Sequence, residues 1–142
     1  MKKRIVIGLA ALFALGATVS CEKKYEDGPV ISLTPRAERM ANTWIFAYAE
    51  ENGENVSDEF DQYELYMNAE NEAELDATYR AFGVEYNTTT SGTWIFQNEE
   101  EQVMFDYDDD DFDNEYEILR LQKDELWLKD MDENLEIHLL SK

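Results

Sequence analysis

From Thr43 to its last residues the chain carries hydrophobic side chains at every second position, in short runs that stop at polar or turn-forming clusters. That period belongs to β-strands, whose successive side chains face opposite sides of a sheet. Residues 43–50 set Trp44, Phe46 and Tyr48 on one side and Ile45, Ala47 and Ala49 on the other. They end at Asn52-Gly53, a pair that accepts the positive φ of a tight hairpin. A polar segment, 54–62, precedes a second strand at 63–68, where Tyr63, Leu65 and Met67 alternate with Glu64 and Tyr66. Residues 73–86 fit two patterns: Leu75, Tyr79 and Phe82 have helical spacing, while Leu75, Ala77, Tyr79 and Ala81 alternate. Strands on both sides favour the strand reading, since one helix would interrupt a meander.

Further on, residues 87–91 read as a Thr-rich loop and 92–97 as a strand with Trp94 and Phe96 on one side. Residues 102–107 put Val103, Phe105 and Tyr107 together, and an acidic loop, 108–114, follows. In the strand 115–122 the apolar side switches from Tyr116 and Ile118 to Leu119 and Leu121, which implies a bulge near Leu119. Strands at 125–130 and 135–141 close the chain, with Leu126 and Leu128, then Leu135, Ile137 and Leu139, facing inward. Ahead of all these lies a short predicted helix. Thr34 suits its cap, Pro35 its first position and Arg36 to Met40 its body, with Asn42 as a left-handed stop. The expected fold is all-β: eight antiparallel strands, which leave two open edges unless they close into an up-and-down barrel, with a short N-terminal helix.

The size fits one such domain. Of 142 residues 44% are hydrophobic and 13% aromatic, enough for a single core. No glycine-rich phosphate loop, heptad, long repeat or β-α-β unit is present. The 33 acids against 12 bases argue against nucleic acid and against electrostatic docking on anionic lipid, both of which need a basic surface. The acidity itself reads as a solvated surface.

Lys2, Lys3 and Arg4 followed by the apolar run 5–17 have the layout of a secretory signal whose hydrophobic part is too short to span a bilayer. Its loss would leave nine bases and 33 acids, a net charge of −24. Thr18-Val19-Ser20-Cys21 resembles the lipobox of bacterial lipoproteins, in which the cysteine is acylated and becomes the new amino terminus. Cys21 is the only cysteine, so no disulfide within the chain can staple the domain. Besides acylation, Cys21 could form an intermolecular disulfide or simply follow an ordinary cleavage site. The expected division is a signal peptide at 1–20, a lipidated Cys21 with a polar tether at 21–32, and a barrel domain at 33–142. This address implies attachment to the outer membrane through acyl chains such as palmitate, on either its periplasmic or its surface side.

The order of these features, with Thr43-Trp44 opening a strand, then Asn52-Gly53, Gly92-Thr93-Trp94 and the late run 115–128, resembles the small lipocalin-like lipoproteins of Gram-negative bacteria. The resemblance implies a barrel with Trp44 at one end and room for a small hydrophobic molecule. Strand parity then assigns Phe46, Tyr48, Leu65, Tyr79, Phe96, Phe105, Tyr116 and Leu128 to the ligand-facing wall. A filled barrel acting as a structural or protein-interaction module, with Ile45, Trp127 and Leu140 as outward contacts, is the alternative.

Little in the sequence suggests catalysis. His138 is the only histidine, and no motif links it to Ser57 or Ser91. One imidazole and one lipid-committed thiol cannot make a zinc site. Asp106, Asp108, Asp110 and Glu117 match the first, third, fifth and twelfth places of a calcium loop, yet Asp111 stands where the sharp turn requires glycine. No enzyme activity, cofactor or nucleic-acid partner is therefore expected, and calcium remains the weak alternative for the acidic loop.

Overall fold

The computed structural model describes residues 35–142, so the expected signal peptide, Cys21, the expected tether and Thr34 lie outside the described residues. The helix α1 (Arg36–Met40) leads into nine strands: β1 (Asn42–Glu51), β2 (Glu54–Asn55), β3 (Phe60–Met67), β4 (Glu72–Ala81), β5 (Val84–Gln97), β6 (Gln102–Tyr107), β7 (Asn114–Leu121), β8 (Glu125–Asp130) and β9 (Leu135–Ser141). Each long strand pairs antiparallel with the next, and β9 returns to the free edge of β1 through the register Phe46↔Leu139 and Ala49↔Ile137. The result is a closed eight-stranded up-and-down barrel, with β2 folded back on the end of β1. Closure removes both edges of the sheet.

Several boundaries differ from those expected. The segment 87–91 is strand, because Asn87 to Ser91 pair with Thr78 to Glu74 along β4. Three consecutive threonines, Thr88 to Thr90, have the β-branched shape that a pleated surface favours. The turn falls earlier, at Phe82-Gly83, where φ is +53° and +75°. Asn42 does not stop the helix: Ala41 is already extended and Asn42 opens β1. The Asn52-Gly53 turn adopts the expected positive φ of 50° and 84°. A bulge does interrupt β7 between Ile118 and Arg120, and others interrupt β1 between Phe46 and Tyr48 and β3 between Phe60 and Gln62.

One end of the barrel is plugged. Trp44, fully buried, donates its indole N–H to the Met40 carbonyl at 3.0 Å, and the Arg39 guanidinium donates to the Leu121 carbonyl at 2.7 Å, so α1 is held across that end. Trp94, its indole bonded to the Asn68 carbonyl at 3.0 Å, fills the space beside the β3–β4 turn. Above them Leu65, Met67, Phe105, Leu121, Leu126, Leu128 and Leu139 interdigitate with almost no exposure. Each such side chain contributes about 1.5–3 kcal/mol by leaving water.

The strand β5 changes neighbours along its length. Its first half pairs only with β4, and the ladder to β6 begins at Gly92↔Tyr107. At Gly92 the chains approach so closely that a Cβ there would lie 2.0 Å from the Asp106 carbonyl oxygen. Only glycine leaves room for this close approach of the two backbones. The half of β5 without a β6 partner and the end of β4 form a hairpin that overhangs the open end, with Phe82 at its tip 93% exposed.

Candidate functional site

At the end opposite α1 the side chains no longer fill the barrel, and a cavity of about 500 Å³ remains. That volume suits a small molecule. It is bounded by the β1–β3 connection, the β4–β5 hairpin, the acidic β6–β7 loop and the β8–β9 turn. Its deep wall is aliphatic, from Leu75 and Ile137, and its sides are aromatic, chiefly Phe60, Tyr63, Tyr79, Tyr107 and Tyr116. The rings support one another: Phe60 stacks on Phe46 at 4.9 Å and on Tyr79 at 5.8 Å, and Tyr79 stacks on Tyr86 at 5.4 Å. Contacts of this kind fix ring orientation beyond what burial alone does.

Three hydroxyls give the cavity polar handles. Tyr63 and Tyr116 are hydrogen-bonded to each other. Burial pushes the Tyr116 hydroxyl up to about 12, helped by the nearby Asp130 charge and opposed by hydrogen bonds with Asn114 and Tyr63. Burial also pushes Tyr107 well up, with Tyr116 and Asp113 adding to it, and raises Tyr63 for the same reason, with Tyr116 and Tyr107 adding. The hydroxyls are thus neutral donors and acceptors at ordinary pH.

The rim is acidic. Asp130, only 6% exposed, is held by the Asn114 side-chain amide at 2.6 Å and the Asp132 backbone N–H at 2.8 Å. Asp113 accepts from the Tyr107 backbone N–H, which ties the acidic loop to β6. Glu51, Glu59, Asp111 and Glu133 also line the opening, and among the described residues none of them forms an ion pair. The one basic lining residue, Arg80, donates to the Asp58 carbonyl at 2.5 Å and to Asp61 at 3.4 Å.

Of the eight residues assigned to the ligand-facing wall, Tyr79 and Tyr116 line this cavity. Leu65, Phe105 and Leu128 are buried core, and Phe46 and Phe96 pack half-buried against it, Phe96 edge-on to Trp94 at 5.2 Å. These five face inward below the cavity. Tyr48 faces outward, because the bulge after Phe46 inserts one residue and reverses the parity of β1. Its hydroxyl donates to Glu50 at 3.0 Å and its ring lies against His138 at 5.2 Å. His138 in turn stacks on Trp127 at 3.8 Å, with Arg120 above that indole at 4.7 Å, so the outer face of β7, β8, β9 and β1 carries a ladder of stacked groups. Ile45 and Leu140, the other expected outward residues, are cross-strand neighbours on that surface.

Parity does not reveal Phe60 or Phe112, which reach the cavity from a strand end and a loop; Tyr63, Tyr107 and Leu135 have the right parity and are readable as inward. The four residues with calcium-loop spacing are spread over several elements. Asp106 and Glu117 lie on separate strands, Asp108 and Asp110 lie in or beside the loop, and among the described residues no three carboxylate or imidazole groups are placed to hold an ion.

No family model matches the chain, and no curated protein matches it. Among solved structures it is similar to an NMR structure of a protein from Bacteroides uniformis ATCC 8492, with a TM-score of 0.50 and 20% identity, over 74% of this chain and 90% of that one. At this identity the likeness shows the fold alone.

Proposed function

We propose that this protein is a lipid-anchored, lipocalin-like carrier of the bacterial outer membrane that holds a small hydrophobic molecule in the open end of its barrel, without catalysing a reaction on it. The observation that carries the reading is the cavity of about 500 Å³ above a filled core, walled by aromatic rings and furnished with neutral hydroxyls. A barrel needed only as a rigid block gains stability from filling that space, since each unfilled methylene leaves contacts unmade. The anchor rests on the signal-like start and on Cys21, together with the resemblance of residues 18–21 to a lipobox.

Native mass spectrometry of the protein purified gently from its own cell envelope tests the cavity: a reproducible small added mass is expected. A bare mass, with tryptophan fluorescence unmoved by a panel of apolar probes, would shift the reading to the filled-barrel alternative, which the exposed Phe82, Val84 and Tyr86 of the overhanging hairpin favour as a protein-contact surface. Replacing Cys21 with Ser is expected to abolish acyl labelling in cells. Unchanged labelling of that variant would remove the anchor.

A further inference from the structure

The occupant's charge can be read from the rim. Carboxylates outnumber bases there by six to one, and the single guanidinium, on Arg80, is directed to Asp58 and Asp61. Below the carboxylates stand ring faces whose π-systems attract cations. A fatty-acid head group would have to enter this field unpaired, whereas an ammonium group would meet Glu51, Glu59, Asp111 and Glu133 without an existing ion pair to break. Glu133 and Tyr79 both line the opening, so a carboxylate and a cation-attracting ring share one rim.

We infer that the cavity takes a cationic amphiphile, its apolar part against Leu75 and Ile137 and its amine or quaternary ammonium head at the rim beside Tyr79, Glu59 and Glu133. The inference rests on the proposed reading of the open end as a binding cavity. It goes further by fixing the sign of the ligand's charge. A formal charge of −21 on the whole chain would attract cations everywhere on the surface, so what distinguishes the site is a single saturable place with an apolar component.

The experiment is calorimetric titration of the intact protein with decyltrimethylammonium, decan-1-ol and decanoate, each below its micelle concentration. Decyltrimethylammonium is expected to bind at one site per chain about tenfold tighter than the alcohol, with decanoate weakest. Raising the salt should narrow the gap without removing binding, since apolar contact is not screened. In the double variant Glu59→Gln, Glu133→Gln the cation should lose most of its advantage while the alcohol binds as before. Both positions are at the rim, so circular dichroism and thermal melting should be unchanged, which separates lost charge from lost fold. Equal or tighter binding of alcohol and decanoate would overturn the cationic inference and leave the cavity reading standing. Binding by none of the three would overturn both. A many-site isotherm that vanishes in salt, or a double variant with undiminished preference, would also overturn the inference.

Discussion

Replacing Gly92 with Ala places one methyl group where β5 crosses to β6. An ideal Cβ there lies 2.0 Å from the Asp106 carbonyl oxygen and 2.6 Å from the Tyr107 Cα, against the 3.4 Å at which ordinary contact begins. All the nearest atoms are backbone, so no side chain can swing aside, and the two strands must part by more than about an ångström. The ladder bonds around Gly92↔Tyr107, and the bond from the Asp108 N–H to the Ser91 carbonyl at 2.8 Å, would stretch beyond useful length. Losing two backbone hydrogen bonds at about 1 kcal/mol each, with residual strain, gives a cost of about 2–4 kcal/mol. In a domain of this size that lowers the melting temperature by about 10–20 °C. The comparison is Gly53→Ala, which meets nothing within 4 Å but sits at φ +84° and so should cost only about 1–2 kcal/mol. Thermal unfolding followed by circular dichroism measures both. A Gly92→Ala protein melting within a few degrees of the parent, or above Gly53→Ala, would refute the close approach. Because Tyr107 is the partner of Gly92 and lines the cavity, the same variant should also bind apolar probes more weakly.

Stability should also fall in alkali. Tyr63, Tyr107 and Tyr116 have hydroxyls raised above 10 in the folded state, so the unfolded chain loses their protons first. Their contribution is fully present below pH 10 and drains away as pH rises from 10 towards 12 and beyond, at up to about 1.4 kcal/mol per group per pH unit. Urea unfolding at intervals from pH 8 to 11.5 would show it; a flat profile above pH 10 would contradict the burial of these hydroxyls. The wall is tested by Tyr79→Ala, expected to weaken probe binding severalfold, beside Tyr48→Ala, expected to leave it unchanged. Fluorescence titration that moved with Tyr48 and not with Tyr79 would reverse the assignment.

In the second half of the barrel the buried side is legible where the other side is polar, as for Ile137 and Leu139 against Glu136 and His138, and the slip at Leu119 shows the bulge directly. In β1 both sides are apolar, so an inserted residue at Ala47 changes nothing visible in the pattern, and plain alternation sets Tyr48 on the wrong side. The Thr-rich stretch 87–91 looked like a loop because one side of β5 there meets water and its neighbour on that edge is missing. The cavity was harder still. Alternation tells inside from outside but carries no information on height along the barrel axis, and height is what separates Phe105, packed in the core, from Tyr107, two residues on and lining the cavity.

The helix plug has a directional consequence. The described chain enters the barrel through α1 at the closed end, and it leaves there too, since the Lys142 N–H bonds to the Thr43 carbonyl at 2.9 Å. The anchor proposed at Cys21 would therefore pull on the sealed pole. The acidic opening is at the opposite pole and would face away from that anchor. A molecule arriving from solution would meet the mouth first, and the overhanging Phe82 before anything else.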